Sequence, residues 1–145
     1  MSCCKTLTSR RHFLLATGSS AATVALAACS ATPEQELFSG GTLTQAIEAN
    51  ALPPGESQQL VVGSHQILLF RENEKTVHAF SAVCTHQGCI VGVSEDPSEN
   101  FICPCHASNF DKTTGEAVAG PAQLPLTRHL TEITDGWIFV EVDPA

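Results

Sequence analysis

The sequence predicts an all-β fold, a small antiparallel β-sandwich or barrel that carries one loop-rich segment. Short runs rich in valine, isoleucine, leucine and phenylalanine occupy both ends of the chain beyond residue 42. Glycine, proline and polar clusters separate these runs, as turns do in antiparallel sheets. Between the two ends, residues 83–126 hold four cysteines and two histidines without sustained periodicity. We therefore expect a functional site that is built on loops and carried by a small β-scaffold.

The first elements after residue 42 predict an antiparallel meander. Leu43–Ala51 predicts a short helical turn or an irregular strand, which Pro53-Pro54-Gly55 ends. Three β-rich runs follow at residues 59–62, 66–71 and 76–82. Short polar turns separate these runs, so consecutive strands pair antiparallel.

The last elements predict a β-hairpin. Leu130–Thr134 and Trp137–Val142 flank the pair Asp135-Gly136. Aspartate and glycine tolerate positive φ angles, which a tight two-residue hairpin turn requires. On this strand Trp137 is expected to pack on the sheet.

Composition limits the classes of partner. The 145 residues fit one domain, and the formal net charge is -8. From Cys29 onward only four basic residues face all fifteen acidic ones, because the other three basic residues lie within the first eleven positions. Such a surface is repelled by nucleic-acid phosphates and attracts basic partners. Nucleic-acid binding is therefore not expected.

The first 28 residues predict an export signal. Arg10-Arg11 precedes the uncharged, apolar segment Phe13–Ala28, which is shorter than the roughly 20 residues that a membrane-spanning helix needs. The arginine pair resembles a twin-arginine signal, which exports folded proteins. Leu26–Cys29 resembles a lipobox, which implies lipidation of Cys29 and a protein tethered to the membrane outside the cytoplasm, on the periplasmic side. An incidental cysteine after an ordinary signal is the alternative.

The remaining chain divides into a polar tether, residues 29–41, and the folded domain, residues 42–145 with its metal-binding part at about 83–126. Two motifs in that part, Cys84–Cys89 and Cys103–Ser108, read Cys-Thr-His-Gln-Gly-Cys and Cys-Pro-Cys-His-Ala-Ser. They supply two thiolates and two imidazoles to one metal centre. A zinc site in a non-redox structural or interaction module uses the same ligands, so spacing alone leaves both centres open.

The complete motifs resemble the two boxes of the Rieske family, and the β-rich flanks extend the resemblance over about residues 43–142. The resemblance implies a [2Fe-2S] cluster with Cys84 and Cys103 on one iron and His86 and His106 on the other. Two neutral imidazoles leave the cluster less negative than four thiolates. Its potential is therefore expected above the roughly -400 mV of all-cysteine plant-type ferredoxins.

The resemblance also assigns roles around the cluster. It implies a disulfide between Cys89 and Cys105, and a hydrogen bond from Ser108 to a bridging sulfide. At position 110 the high-potential bc-type proteins usually have a tyrosine, but this chain has Phe110 and no tyrosine at all. We therefore expect a potential below that of the respiratory proteins. Gly120–Leu126 resembles the proline-containing loop that covers the cluster.

The expected function is one-electron transfer, with the outer nitrogens of His86 and His106 near the protein surface. The resemblance leaves three settings open: a subunit of a molybdenum enzyme such as arsenite oxidase, a stand-alone lipoprotein carrier for partners such as a cytochrome, or, less favoured, a quinol-oxidising bc-type complex. No substrate site of the chain's own is evident. His65, His78 and His129 lack ligand spacing and are expected to be structural or exposed.

Overall fold

The computed structural model describes residues 35–143, and these residues form ten β-strands and one 3-10 turn. The strands are β1 (Thr42–Glu48), β2 (Ser57–Val62), β3 (His65–Asn73), β4 (Thr76–Ser81), β5 (Phe101–Ile102), β6 (Asn109–Phe110), β7 (Ala117–Ala119), β8 (Arg128–His129), β9 (Thr131–Thr134) and β10 (Trp137–Val142). The 3-10 turn is Ala49–Ala51. No helix within this range is long and apolar enough to cross a bilayer.

Two sheets form the scaffold and a third carries the metal-binding part. The strand orders are β1-β10-β9, β2-β3-β4-β8 and β5-β6-β7, and all named pairs within them are antiparallel. The all-β prediction, the meander of β2 to β4 and the C-terminal hairpin are confirmed. Asp135 and Gly136 both have positive φ angles, 49° and 79°, as the hairpin prediction requires.

Leu43–Ala51 contains both of the alternatives that its sequence left open. It forms an irregular strand, β1, whose register against β10 shifts between Gln45 and Ile47, and then the 3-10 turn. Arg71 holds this turn in place, although it is only 5% exposed. Its guanidinium donates hydrogen bonds to the carbonyl oxygens of Ala49 and Leu52, and it contacts the Glu74 carboxylate at 2.9 Å.

Strand β3 separates two hydrophobic cores. Its side chains alternate between the two faces, so Ile67 and Leu69 pack into the core between the scaffold sheets. Leu68 and Phe70 point to the opposite face and pack into a second core with the buried cysteines of the metal-binding part. The continuous apolar run Ile67–Phe70 therefore reflects a strand that is buried on both faces. This shared strand connects the scaffold rigidly to the functional site.

Residues 35–38 lie against the domain. Leu37 forms a parallel bridge with Arg128, and the Phe38 N–H donates to the Arg128 carbonyl oxygen at 2.7 Å. The Gln35 side-chain amide donates to the Leu126 carbonyl oxygen at 3.1 Å. The Phe38 ring stacks on His129 with 4.8 Å between ring centroids. We call residues 35–38 the strap. The predicted signal and the predicted lipidation site, Cys29, lie outside the described residues.

Candidate metal centre

The two predicted ligand loops have the same backbone hydrogen bonds. In the first, the Cys84 N–H donates to the Cys89 carbonyl oxygen and the Gly88 N–H donates to the Cys84 carbonyl oxygen, both at 2.8 Å. In the second, the Cys103 N–H donates to the Ser108 carbonyl oxygen at 2.8 Å, and the Ala107 N–H donates to the Cys103 carbonyl oxygen at 3.0 Å. Each loop is therefore closed by a backbone hydrogen bond between its first cysteine and the fifth residue after that cysteine.

This loop geometry requires a positive φ angle at its fifth residue. The first loop has Gly88 there, at 75°, and the second has Ala107, at 55°. The left-handed conformation costs a non-glycine residue about 1–2 kcal/mol. A third loop, which begins at Asp111 directly after β6, repeats the same two hydrogen bonds and has Gly115 at its fifth position. Sequence reasoning missed this repeat, because the three loops share no common residue pattern: they begin with Cys84, Cys103 and Asp111, and Ala107 replaces glycine at the turn of the second loop.

The predicted ligands divide into a buried pair and an outer pair. Cys84 and Cys103 are free thiols with 3% and 1% exposure. His86 is half-buried and His106 is exposed. The two imidazole rings lie 4.9 Å apart between centroids and are nearly perpendicular, at 89°. The loops therefore place two sulfurs toward the core and two imidazoles toward the surface, on one side of the domain.

A disulfide joins the two ligand loops. Cys89 and Cys105 are bonded, with 6.5 Å between their Cα atoms. The Cys103 sulfur lies within 4.8 Å of both disulfide sulfurs. Because Cys89 and Cys105 are bonded to each other, they offer no thiolate to a metal, and the three sulfurs do not constitute a separate metal site.

The proline-containing loop packs on both ligand loops. The Thr85 hydroxyl donates to the Leu124 carbonyl oxygen at 2.7 Å. The Ser108 hydroxyl is fully buried and accepts the Ala122 N–H at 3.1 Å, so its own proton remains available for donation. Gly120 has a φ of 86°, and a Cβ atom on it would lie 2.5 Å from the Ser108 Cα. Gly120 and Thr85 therefore position this loop, and the sequence prediction had assigned a role to neither.

Phe110 is fully buried beneath the site. It lies on β6 opposite Phe101 on β5, and it belongs to the same hydrophobic core as Cys84 and Cys103. The small sheet β5-β6-β7 was not predicted, because its strands of two or three residues are too short for a periodic signal. The sheet supports the second ligand loop directly, since β5 ends at Ile102 and β6 begins at Asn109.

The three stretches that build the site contain no charged residue, although Glu36 of the strap lines a pocket with Thr85 and Leu124. The stretches 83–93, 100–110 and 117–127 contain no aspartate, glutamate, lysine or arginine. Asp111 follows the stretch 100–110 directly and stabilises the third loop by accepting hydrogen bonds from the Thr113 and Thr114 amides. Burial opposes ionisation of Asp111, but hydrogen bonds from the backbone amides of Thr114 and Thr113 outweigh it and hold the pKa below its ordinary value.

The residues of the site fit a metal cluster of mixed ligation. The Nδ1 atom of His86 is buried and has no hydrogen-bond partner in the protein. A buried polar atom without a partner is costly, and a metal bond removes that cost. The two predicted cysteine ligands, Cys84 and Cys103, are buried free thiols. This donor set, two sulfurs and two imidazoles, is the set that the [2Fe-2S] centre of a Rieske protein uses.

Comparison with known proteins agrees with this geometry. The family model of the Rieske [2Fe-2S] domain matches residues 42–131. The chain is 34% identical over 96 residues to the cytochrome b6-f complex iron-sulfur subunit of Chlorobaculum thiosulfatiphilum, covering 61% of this chain and 52% of that protein. It is 46% identical over 66 residues to a cytochrome b6-f complex iron-sulfur subunit of Cyanophora paradoxa, covering 44% of this chain and 26% of that protein. The chain thus spans about half the length, or less, of these relatives.

Solved structures show the same fold. The ferredoxin of carbazole 1,9a-dioxygenase from Nocardioides aromaticivorans IC177 has a TM-score of 0.57 and 26% identity, over 72% of this chain and 99% of that one. The plasma membrane Rieske protein of Synechocystis PCC 6803 has a TM-score of 0.55 and 23% identity, over 70% of this chain and 99% of that one. At 23% identity the second similarity speaks to the fold alone.

A small all-β domain with two cysteines and two histidines on paired loops defines a metal-binding protein of mixed cysteine and histidine ligation. The chain belongs to the Rieske [2Fe-2S] family. Its cofactor is a [2Fe-2S] cluster. The family match also decides between the two metal centres that ligand spacing had left open, in favour of iron and sulfide.

Within this domain the four predicted ligands have distinct tasks. The cluster, when bound, stores and releases one electron. Cys84 and Cys103 would hold it from the side of the hydrophobic core, where water is excluded. His86 and His106 would hold it from the side of the protein surface. The Ser108 hydroxyl and the proline-containing loop lie against the ligand loops. They would limit the solvation of the cluster, and Ser108 has a proton that it could donate to a sulfur.

Proposed function

We propose that this chain is an exported one-electron carrier that a lipid on Cys29 holds at the membrane surface, on the periplasmic side. The observation that carries the proposal is the Cys89–Cys105 disulfide between the ligand loops. Structural disulfides persist in oxidising compartments and are rare in the cytosol. The arginine pair, the apolar segment and the lipobox-like Leu26–Cys29 support the same location independently.

Electrons enter and leave through the imidazoles of His86 and His106. The opposite side of the site faces the hydrophobic core, so a partner approaches from the outer side. The stretches that carry the imidazoles and the proline-containing loop contain no charged residue, and Leu124 is 56% exposed, with Pro104 and Pro121 also exposed. A neutral, partly apolar contact surface on an acidic protein favours brief contacts with a basic partner. Long-range electrostatic attraction speeds the encounter of the two proteins. Because the contact surface makes few strong bonds, the complex then dissociates quickly.

The proposed partners are a molybdenum enzyme such as arsenite oxidase, in which this chain is the small subunit, or a cytochrome that a stand-alone carrier serves. Phe110 supports both settings. A phenylalanine donates no hydrogen bond to a ligand sulfur, so the reduced cluster is less stabilised than with a tyrosine. A carrier with a lower reduction potential is better matched to an electron donor other than the quinol that high-potential respiratory complexes oxidise.

A second candidate is a subunit of a quinol-oxidising complex. The similarity to proteins named cytochrome b6-f complex iron-sulfur subunits favours it, and the chain shares 34% identity with one of them over 96 residues and 46% with another over 66 residues. The similarity covers only about half of each relative, or less, so the parts of those proteins outside the Rieske domain do not enter the comparison.

Fractionation of cells that express the full chain tests the location. We expect the protein in the membrane fraction, released by detergent and not by high salt, and accessible to protease added to spheroplasts. A Cys29→Ser variant should be recovered in soluble form outside the cytoplasm, and replacing Arg10 and Arg11 with lysine should retain the protein inside. Recovery of the unchanged chain in the cytosol would contradict the proposal.

Redox titration and electron-transfer kinetics separate the partners. The proposed setting predicts a potential between those of all-cysteine plant-type ferredoxins and of respiratory Rieske proteins, and oxidation by a basic cytochrome that slows as salt is added. The second candidate predicts a high potential and membrane quinol oxidation that depends on this chain. Rapid quinol oxidation together with a high potential would replace the first proposal with the second.

A further inference from the structure

Three sulfur atoms lie close together beside the predicted cluster ligands. The sulfurs of Cys89, Cys103 and Cys105 all lie within 4.8 Å of one another, and only Cys89 and Cys105 are bonded. Cys103 is therefore a free thiol in contact range of a disulfide. Cys84, the other free cysteine in the described part of the chain, is not a member of this group.

We propose that Cys103 exchanges with this disulfide whenever no cluster holds its sulfur. The Cys103 thiolate attacks the Cys89 sulfur, the Cys89–Cys103 bond forms, and the Cys89–Cys105 bond breaks. The electron pair of the broken bond leaves on the Cys105 sulfur, which takes up a proton from water in place of the proton that Cys103 lost. The exchange is redox-neutral and needs no added oxidant or reductant.

Burial decides which disulfide sulfur is attacked. The Cys105 side chain is exposed, whereas Cys89 is half-buried, so water stabilises a thiolate that leaves from Cys105. Attack on Cys105 would instead join Cys103 and Cys105, which only Pro104 separates. That bond would close a small ring over a residue whose φ angle the pyrrolidine fixes. The product is therefore the Cys89–Cys103 disulfide with a free Cys105.

The exchange has a consequence for cluster loading. A Cys103 that is bonded to Cys89 has no thiolate for iron, so the exchanged chain binds no cluster until a reductant opens the new bond. The free Cys105 thiol is exposed and becomes a site for alkylation or mixed-disulfide formation. The cluster thus protects its own ligand, and the chain must bind the cluster before it meets an oxidising compartment. This inference rests on the assignment of Cys103 as a cluster ligand, and it does not depend on the redox partner.

The test compares two variants of the full chain that each lack one ligand thiol. Cys84→Ser and Cys103→Ser both remove a cluster ligand, but only Cys84→Ser keeps the sulfur that lies beside the disulfide. Both proteins are held without oxygen, quenched in the native state with N-ethylmaleimide, and cleaved after glutamate. Cleavage at Glu95 and Glu99 separates the two motifs. The original and the exchanged forms then have the same mass, so fragmentation between Cys103 and Cys105 identifies which of them carries the disulfide and which the maleimide.

We expect loss of Cys105 from the disulfide in most Cys84→Ser molecules, with a Cys89–Cys103 crosslink and maleimide on Cys105. Cys103→Ser should keep the Cys89–Cys105 bond. An intact Cys89–Cys105 bond with maleimide on Cys103 in Cys84→Ser would overturn the proposal. A crosslink from Cys103 to Cys3, Cys4 or Cys29 would do the same, because it indicates random scrambling.

The unchanged protein provides a second measurement that does not rely on a variant folding. Holoprotein should keep Cys89–Cys105 and take up no maleimide at Cys103 or Cys105. Anaerobic removal of iron by a chelator, followed through the loss of visible absorbance, should convert it to the Cys89–Cys103 form. Loss of absorbance without exchange would refute the switch. A chain that carries no cluster at the outset would instead refute the ligand assignment.

Discussion

Replacing Phe110 with tyrosine tests how the protein tunes its cluster. Phe110 is fully buried in the core that contains Cys84 and Cys103, so a hydroxyl added to its ring is shielded from water. If that hydroxyl donates to a ligand sulfur, it stabilises the reduced cluster more than the oxidised one. A hydrogen bond contributes about 0.5–1.5 kcal/mol, which raises a one-electron potential by about 20–65 mV.

The assay is a redox titration of the Phe110→Tyr protein, followed through its visible absorbance and reduced-state EPR signal. The matched control is Phe139→Tyr, because Phe139 lies half-buried on β10, outside both hydrophobic cores. The control should leave the potential unchanged. An unchanged potential in Phe110→Tyr, with a loss of about 1–3 kcal/mol of stability from an unpaired buried hydroxyl, would refute this account of the tuning.

Three further changes test the scaffold. Gly120→Ala and Gly55→Ala both place alanine at a φ near 90°, at a cost of about 1–2 kcal/mol each, but only Gly120 has backbone within 3 Å of the new Cβ. In denaturant unfolding, Gly120→Ala should lose about 1–3 kcal/mol more of the free energy of unfolding than Gly55→Ala, and it should also lose iron. Equal losses in the two variants would show that the proline-containing loop moves to accommodate the new methyl group. Arg71→Met should cost about 1–3 kcal/mol for each backbone carbonyl left without its partner, against a change within about 0.5 kcal/mol for the exposed Lys75→Met. Burial lowers the pKa of His129, and the hydrogen bond to the Glu141 carbonyl only partly offsets this. The folded state therefore binds the proton less readily than the unfolded state, so stability is complete above the unfolded value of 6.5 and falls as the pH drops from there to the folded pKa. Urea titrations between neutral and mildly acidic pH measure how the free energy of unfolding changes with pH, and His129→Gln should make this change smaller. An unchanged pH dependence would show that other groups cause it.

Local sequence determined the elements whose signal lies within a few consecutive residues. Asp135-Gly136 predicted a hairpin because the two residues accept positive φ angles, and the structure has such angles at both. The runs of β2, β3 and β4 predicted a meander because short polar turns separate them. The two motifs predicted the metal centre because ligand chemistry is a property of residue type. For the same reason the amino-acid sequence by itself indicated the [2Fe-2S] family.

Only the tertiary structure decided the contacts between residues that lie far apart in the chain. It assigned alternate residues of the apolar run Ile67–Phe70 to two different cores, which an apolar stretch without polar breaks does not reveal. It also placed the strap against Arg128, although the polar stretch that contains the strap predicted a tether.

The two cysteine-histidine motifs thus predicted which atoms would hold the cluster, whereas the tertiary structure decided what surrounds those atoms. The Thr85 contact with Leu124 spans 39 residues, and the bond from Ala122 to Ser108 spans 14. The proximity of the Cys103 sulfur to the disulfide likewise depends on two loops meeting in space. Residue type sets which bonds a side chain can make, and only the packing of the whole chain sets which partner is near enough to make them.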